Sequence, residues 1–442
     1  MSFESKSAAS RLKTVVVNSL ANFAFPVTTL ITGPLLARTL GPEGRGVMAA
    51  LLAPITLANL MFTLGVPDAL TYFVARGRLR GKQALHVAMG GGLICTIVAC
   101  SALAIAAPYL FRAQTQLLPY FKPLLLTLPV TLGFSAIRGI AQGRQQFGLM
   151  NKEQIFGALL RLAVLSSFAA VHVLKPVMAV WASIMSGVVG SLFLLAALRR
   201  DEATRSSVED AGTVARYAGS AALGTFGGLI MIRLDQVLMV SLTTRSELAY
   251  YSVAASLAEL PLVVVSAIRD VAFSVTAQRD DPKIIARSCR LTVLAIGMLC
   301  VAGGVLTPLA LPFLFGKKFA PAVWMVEVLL LGTMGRAVAA VIGAGLMTIG
   351  RTWLRSVIQL GGAAITAALL FMLVPNWGGL GAAWVTTVTY AALSFASMFA
   401  YVQSANLSFK QCLVPTASDF RDLKSAIGVN LRRAQQKYFS GI

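Results

Sequence analysis

Six ionisable side chains stand inside long apolar stretches of this chain, and their chemistry is the first clue to what the molecule does. Three are basic and three acidic: Arg161, Arg233, Arg336, Asp235, Glu259 and Glu327. A charge in such surroundings is costly unless it faces a polar cavity or a partner of opposite sign. An arginine placed there is suited to hold an anion such as a phosphate, because its planar guanidinium offers several donors at once.

These charges do not neutralise one another along their own helices. Arg233 and Asp235 are two residues apart, so they project from different helix faces. Arg336 and Glu327 stand about 180° apart around a helix. We therefore expect unpaired arginines at a shared polar cavity. The alternative is that each charge finds a partner on a neighbouring helix and serves packing alone.

Polar residues, all but one of them uncharged, form stripes on three of the apolar segments. They recur at helical spacing on single faces: Asn18, Asn22 and Thr29; Thr56, Asn59 and Thr63; Ser252, Ser256, Glu259 and Ser266. Hydrogen bonds between packed helices would account for them. The functional interpretation places them on the wall of the cavity, which is then lined by the first two helices of each half of the chain.

Glycine and proline are expected to interrupt some of these helices. In the second apolar segment Pro67 removes a helical hydrogen bond next to Gly65, and Asp68 is expected to cap the half-helix that follows. Pro26 and Pro261 are expected to kink the first and eighth segments. We predict that Gly65, Pro67, Asp68 and Pro261 act as hinges, although proline is also tolerated in membrane helices without such a role.

The elements that carry these residues are predicted to be membrane-spanning helices. Of the 442 residues 57% are hydrophobic and 12% charged, so the net charge of +21 has no polar surface on which a nucleic-acid groove could form. The apolar runs are too long for barrel strands and match the roughly 20 residues that a helix needs to cross a bilayer. Twelve are predicted, near residues 14–37, 46–75, 83–107, 117–141, 153–173, 176–198, 215–242, 248–275, 287–311, 321–347, 353–374 and 378–402.

Lysine and arginine are distributed unevenly between the two sides of this predicted bundle. Of the 38 basic residues, 27 fall in one set of alternate gaps and 8 in the other, which leaves Arg161, Arg233 and Arg336 inside the membrane. By the positive-inside rule the richer side, which holds both termini, is cytoplasmic.

The two halves of the chain resemble each other weakly. A shift of 200 residues lays residues 57–60 over 257–260 and Phe73 over Phe273. The predicted fold is therefore an all-α integral membrane protein, with about 12 transmembrane helices in two six-helix bundles, an internal parallel repeat, around a central cavity. The predicted domains are an N-terminal bundle at 1–198, a cytoplasmic linker at 199–216, a C-terminal bundle at 217–405 and a basic cytoplasmic tail at 406–442.

Residue types needed for other chemistry are scarce or dispersed. The five cysteines show no CxxC spacing, and the only histidines, His86 and His172, stand alone. No GxxxxGK[ST] loop is present to hold ATP. We predict no metal site, no cofactor and no catalytic residue.

Two segments resemble those of the polysaccharide flippases of the multidrug/oligosaccharidyl-lipid/polysaccharide exporter superfamily. In residues 35–76, where the family has an Arg–Leu–Gly–Pro turn and then a glycine, this chain has Arg-Thr-Leu-Gly-Pro at 38–42, then Gly44 and Gly46. In residues 233–261 the matching positions are Asp235, 247–248, 251–254 and 257–260. Tyr250 departs from the pattern, since the family usually has a small residue there.

The resemblance implies a flippase that moves an undecaprenyl-diphosphate-linked oligosaccharide from the cytoplasmic to the outer leaflet of the bacterial inner membrane, by alternating access. The glycan would serve O-antigen, capsule or exopolysaccharide biosynthesis. The implied headgroup contacts are Arg161, Arg233 and Arg336; the sugar contacts are Asn18, Asn22, Thr56, Asn59 and Ser256; Asp235 and Glu259 would couple transport to H⁺ or Na⁺.

The implied partners are the lipid-linked glycan, membrane lipids and polysaccharide polymerase or assembly proteins, with no nucleic acid. Three alternatives stay open. A cation-coupled multidrug exporter of the same superfamily should have an acidic or apolar cavity. A membrane-embedded glycan polymerase or ligase usually needs a large outer loop, whereas the predicted outer gaps are short. A lipid II flippase would be a close variant of the favoured function.

Overall fold

The architecture is described from a computed structural model of the chain. The described backbone comprises residues 2–79, 81–199, 211–279, 281–405 and 407–414. The side chains of residues 1–26 lie outside the description, as do those of some further helical positions, so the predicted contacts Asn18 and Asn22 cannot be placed. Most of the predicted linker at 199–216 and of the predicted tail at 406–442 also falls outside the described residues.

Every long element in the described residues is an α-helix, as predicted. The helices are α1 Ser2–Met61, α2 Val66–Ala75, α3 Gly81–Leu110, α4 Leu118–Leu124, α5 Leu128–Gly143, α6 Phe147–Ala170, α7 Pro176–Arg199, α8 Ala211–Ile230, α9 Leu234–Leu242, α10 Arg245–Ala258, α11 Leu262–Arg279, α12 Pro282–Phe315, α13 Ala322–Thr348, α14 Thr352–Ala405 and α15 Phe409–Leu413. Seven helical stretches of the described residues are long and apolar enough to cross a membrane by themselves.

Two of the helices are too long for a single crossing and bend at glycine. Within α1 the backbone leaves the helical region at Gly41 (φ 66°, ψ −177°), and within α14 it does so at Gly378 (φ 56°, ψ −139°). A positive φ is readily adopted by glycine, which has no Cβ to clash. Each of these helices is therefore long enough to supply two crossings.

The second span of each half is interrupted at a corresponding place. α1 ends at Met61 and α2 starts at Val66, with Gly65 (φ 69°) as its N-cap; α10 ends at Ala258 and α11 starts at Leu262. These are the interruptions predicted at Gly65–Pro67 and at Pro261, and they lie about 200 residues apart as the repeat requires.

Asp68 does not have the role expected of it. The N-cap of α2 receives no side-chain hydrogen bond, and Asp68 is an exposed residue of the first turn. The physical reason is that Gly65 adopts the left-handed conformation and starts the helix by its backbone alone, three residues before the carboxylate.

The two halves, α1–α7 and α8–α15, contact each other in two regions of their interface. Near one end Gly46 of α1 touches the backbone of Arg245, and a Cβ at Gly46 would lie 2.0 Å from that carbonyl oxygen. Towards the other end Gly65 touches α8, where a Cβ would lie 2.2 Å from the carbonyl oxygen of Ala218. The main apolar core extends through both halves, from Leu36 to Cys412.

Candidate functional site

A cavity of about 190 Å³ lies where the two halves face each other, and we call it the interface cavity. Its polar wall consists of Thr29, Arg45, Arg233, Ser256 and Glu259. These residues come from the first, second, seventh and eighth spans, which is the set of helices that the polar stripes pointed to. The hydroxyl of Ser256 donates to the carbonyl oxygen of Ser252 at 2.8 Å, which leaves its own oxygen able to accept a hydrogen bond.

Glu259 is the centre of the charged cluster beside this cavity. Its Oε1 accepts from Nη1 of Arg336 at 3.0 Å and lies 3.5 Å from Nη1 of Arg233. The three side chains keep between 25% and 30% of their surface exposed, so the cluster is open to a ligand. The expectation of unpaired arginines is therefore wrong for Arg233 and Arg336, because a carboxylate from a different helix lies between them.

Interrupted helices bring these groups together. Glu259 is the C-terminal cap of α10 and Arg233 the N-terminal cap of α9, so both stand where a membrane helix is broken. Arg336 reaches them from the continuous helix α13, and its guanidinium lies 5.5 Å from the ring centroid of Tyr390. The Tyr390 hydroxyl donates to the carbonyl oxygen of Met231 at 3.4 Å and so satisfies a backbone acceptor just beyond the end of α8.

Asp235 lies apart from the interface cavity. It is 8% exposed and accepts hydrogen bonds from the Tyr251 hydroxyl and from the backbone N–H of Gln236, the latter at 2.7 Å. Tyr251 is fully buried, and its hydroxyl is 2.9 Å from that of Thr386. Asp235 is therefore enclosed by α10 and α14 and does not pair directly with Arg233, in agreement with its predicted position on another helix face.

Arg45 is a site residue that the sequence analysis missed. The predicted spans leave Arg45 in the gap between the first two helices, whereas the structure places it in the lining of the interface cavity. Its Nε has no hydrogen-bond partner among the described residues. Its Nη1 donates to Sδ of Met48 at 3.2 Å. Arg45 also lies near enough to Arg161 for the two guanidiniums to repel each other. The glycines at 44 and 46 and the proline at 42 had suggested a turn, which concealed its helical position.

A second polar cavity, of about 370 Å³, lies within the first half of the chain, and we call it the N-terminal cavity. Helices α1, α5, α6 and α7 form its wall. The predicted residues Thr56, Asn59 and Arg161 line it, together with Thr131, Ser135, Arg138, Glu153, Ser183 and Ser191. The predicted contacts are thus divided between two cavities: Arg233, Ser256 and Glu259 at one, Thr56, Asn59 and Arg161 at the other.

Arg138 and Glu153 form an ion pair in the wall of the N-terminal cavity. Arg138 donates through Nη2 to both carboxylate oxygens, at 2.7 and 2.8 Å, and through Nε at 3.2 Å. Glu153 is 4% exposed and also accepts from the Ser191 hydroxyl at 2.9 Å. The sequence analysis counted Arg138, near the end of the predicted span 117–141, among the basic residues of the cytoplasmic side. It did not single out Glu153, the first residue of the predicted span 153–173. A signal was available, since both lie within a few residues of predicted span ends, where boundaries are least certain.

The charges in and beside the two cavities do not balance. Five arginines (Arg45, Arg138, Arg161, Arg233 and Arg336) accompany three carboxylates (Glu153, Asp235 and Glu259), so the set carries a formal charge of +2. No group of three or more histidine, cysteine, aspartate or glutamate side chains that could hold a metal ion occurs within the described part of the chain. The arrangement is suited to a polar anion that is stripped of water between the halves.

A family profile, that of the polysaccharide biosynthesis proteins, matches residues 12–278, which is more than half of the chain. The chain belongs to this family. A protein of Shigella flexneri described as a candidate O-antigen transporter is 22% identical over 413 residues, covering 86% of this chain and 96% of that protein.

Solved structures show the same fold in two kinds of transporter. The lipid II flippase MurJ, in an inward closed conformation, matches with a TM-score of 0.70 at 13% identity, covering 88% of this chain and 90% of that one. An inward-facing multidrug resistance MATE family transporter of the MOP superfamily matches with a TM-score of 0.68 at 14% identity, covering 87% and 97%. The predicted all-α membrane fold and the resemblance to the flippase family are both confirmed.

Proposed function

We propose that this family member is a flippase that moves a glycan linked to undecaprenyl diphosphate across the bacterial inner membrane. The observation that carries the proposal is the excess of arginine around a cavity between two helical halves. A diphosphate is an anion with several acceptor oxygens, and guanidiniums bind such groups through paired, charge-assisted hydrogen bonds. The family and the Shigella relative support a polysaccharide context for that anion.

In this proposal Arg45, Arg161, Arg233 and Arg336 bind the diphosphate. Before the substrate binds, Glu259 forms ion pairs with two of these arginines. The diphosphate then takes the place of the Glu259 carboxylate, so one negative group replaces another. The halves would then rock about their interface and expose the cavity to the other leaflet, which is alternating access. Protonation or sodium binding at Asp235 or Glu259 would supply the coupling, and the polyprenyl tail would stay in the lipid.

A cation-coupled multidrug exporter shares this fold, but its preferred ligands fit the cavity less well. A positively charged drug would meet a surplus of arginine instead of a surplus of carboxylate. We therefore favour a transporter of anionic lipid-linked glycan over the exporter, and a transporter over an enzyme. Polysaccharide polymerase or assembly proteins are proposed as its partners.

A deletion strain tests the proposal. Loss of the gene is expected to leave lipid-linked glycan on the cytoplasmic leaflet, and the wild-type gene should clear it. We expect each of four variants to reduce clearance at least tenfold at normal protein level: Arg45→Ala, Arg161→Ala, Arg233→Ala and Arg336→Ala. Arg112→Ala should not, because Arg112 is exposed and lies outside the linings of both cavities.

Full complementation by all four variants would remove the headgroup assignment. Unchanged lipid-linked glycan together with altered drug tolerance in the deletion strain would favour the exporter.

We also propose that both termini are cytoplasmic. Because 27 of 38 basic residues fall on the side that holds the termini, a reporter enzyme fused after Asn376, near the bend of α14, should be active outside the cytoplasm. Cytoplasmic activity of that fusion would reverse the orientation.

A further inference from the structure

The N-terminal cavity differs from the interface cavity in its chemistry. In its wall the Arg138–Glu153 ion pair is internally neutral, and hydroxyl and amide groups stand around this pair. Among the described lining residues, Arg161 is the one charged side chain that the pair does not balance. At the interface cavity, by contrast, Glu259 faces two arginines and Arg45 has no carboxylate partner among the described residues. The part of the N-terminal cavity around the ion pair therefore suits a ligand group that is polar but uncharged, whereas Arg161 and the interface cavity suit a charged anion.

The polar groups of the N-terminal cavity offer both donors and acceptors to a ligand. Asn59 Oδ1 accepts from the Thr131 hydroxyl at 2.7 Å, so the Asn59 amide keeps its two N–H donors for the cavity. Ser135 donates to the carbonyl oxygen of Thr131 at 3.1 Å, which leaves its oxygen as an acceptor. Arg138 keeps 39% of its side chain exposed although it holds Glu153. Mixed donors and acceptors of this kind match the hydroxyl groups of a sugar.

Two features link the walls of the two cavities: a pair of arginines and one face of α1. Arg45 lines the interface cavity and repels Arg161, which lines the N-terminal cavity. On α1, Arg45, Leu52 and Asn59 follow at intervals of seven residues and so lie on one face. A diphosphate held at Arg45 and Arg161 would thus direct its attached sugar along this face into the N-terminal cavity, whose volume of about 370 Å³ is in the range of small-ligand pockets.

We propose that the N-terminal cavity is the glycan subsite and reads the sugars next to the diphosphate through Asn59, Thr131, Ser135 and the Arg138–Glu153 pair. This assignment rests on the proposed flippase function and specifies where the substrate is recognised: charge is read between the halves, and sugar identity is read within the first half. Specificity for one glycan over another then belongs to α1, α5, α6 and α7.

Native mass spectrometry of the full chain in lipid nanodiscs tests the proposal. The probes are sugar-free undecaprenyl diphosphate and a series of undecaprenyl diphosphates that carry one hexose or one N-acetylhexosamine, presented in pairs. Because both lipids compete in one sample, the ratio of bound forms does not depend on how much protein is folded. Wild-type protein should prefer at least one sugar-bearing lipid over the sugar-free one.

Removing polar groups from the cavity should abolish that preference selectively. The combined variant Asn59→Leu, Thr131→Val and Ser135→Ala should lower the ratio at least tenfold while binding the sugar-free lipid as before. Arg45→Gln should weaken both lipids and keep the ratio. Ser167→Ala and Thr292→Val, which remove hydroxyls bonded only within their own helices, should change neither.

Two results would overturn the glycan subsite: a wild-type protein without preference for any sugar, or a combined variant that keeps the wild-type ratio. Wild-type protein that binds none of the diphosphate lipids would refute the flippase proposal itself, and the two failures are therefore distinguishable.

Discussion

Glu259 is an internal competitor for the substrate in the proposed mechanism. A carboxylate at 3.0 and 3.5 Å from two guanidiniums compensates charge that would otherwise be costly inside the membrane. An incoming diphosphate offers the same arginines more acceptor oxygens and so can displace the carboxylate, but it binds less tightly than it would to arginines without Glu259. The same exchange allows release, because the carboxylate can take the arginines back.

Glu259→Gln should increase the affinity for the diphosphate lipid and lower the stability of the ligand-free protein. The amide keeps the side-chain shape but leaves two positive charges uncompensated, so the melting temperature without ligand should fall. Sugar-free undecaprenyl diphosphate should bind roughly tenfold more tightly, equal to about 1.4 kcal/mol, and turnover should slow because release becomes harder. Thermal shift and lipid titration in detergent measure both effects.

Glu247→Gln is the matched control for that experiment. Glu247 accepts from the backbone N–H of Gly379 at 2.8 Å, and a glutamine oxygen can accept the same bond. Its lipid affinity should stay at the wild-type value. If Glu259→Gln instead binds the lipid more weakly than wild type, Glu259 orders the arginines for the ligand and does not compete with it.

At the residue scale the sequence predicted which charges lie at or beside the cavities better than it predicted their partners. Four residues were identifiable because a charge within an apolar run is costly unless it faces a cavity or a partner: Arg161, Arg233, Glu259 and Arg336. That Glu259 bridges Arg233 and Arg336 depends on how α9, α10 and α13 pack, which no spacing within one helix can show. Arg45 was missed because its helix starts earlier than the apolar run does.

At the element scale, breaks with glycine or proline were predictable and one without them was not. The residue types at Gly65, Pro67 and Pro261 predict that a helix is interrupted there, because glycine permits a positive φ and proline removes a helical hydrogen bond. The break at Met231–Arg233 contains neither glycine nor proline, and the hydrogen bond from Tyr390 to Met231 comes from a helix about 160 residues away. Such a break is decided by tertiary contacts and is invisible in the local sequence.

Gly65→Ala should damage the junction between the halves. The added Cβ would lie 2.2 Å from the carbonyl oxygen of Ala218 and would sit on a backbone with φ of 69°, so α2 and α8 must separate. We expect a loss of about 1–3 kcal/mol in the free energy of unfolding and reduced clearance of lipid-linked glycan. Unfolding midpoints in detergent and the deletion-strain assay measure these quantities.

Gly361→Ala provides the comparison for this substitution. A Cβ at Gly361 meets no atom within 4 Å and the residue lies in helical α14, so the change should be neutral or stabilising by up to about 1 kcal/mol. Equal stability of Gly65→Ala and Gly361→Ala would contradict the close approach of α2 to α8.

At the scale of the whole molecule the interface between the halves has two contact zones on either side of the charged cluster. In one zone Gln114 donates through Nε2 to the carbonyl oxygens of Val240 and Thr243, at 3.4 and 3.3 Å. In the other the rings of Tyr72 and Tyr217 stack with centroids 4.5 Å apart. Alternating access requires that these zones open in turn, because a substrate must enter past one and leave past the other.

Joining either zone covalently should therefore stop transport. In a background without the five native cysteines, Tyr72→Cys with Tyr217→Cys would join one zone, and Gln114→Cys with Thr243→Cys would join the other. Mild oxidation should abolish clearance of lipid-linked glycan by each double variant, and reduction should restore it. Each cross-link tethers one contact zone while the substrate-binding side chains stay in place, so the loss reports on motion and not on the site.

A cross-link within one half separates that motion from general rigidity. Phe395 and Phe409 stack with centroids 6.1 Å apart, and both belong to the second half, so Phe395→Cys with Phe409→Cys should transport normally when oxidised. Transport that persists with a fully formed bond in either inter-half pair would contradict rocking of the halves. In that case the substrate would have to cross the membrane while the linked contact zone stays closed, which alternating access between the halves does not allow.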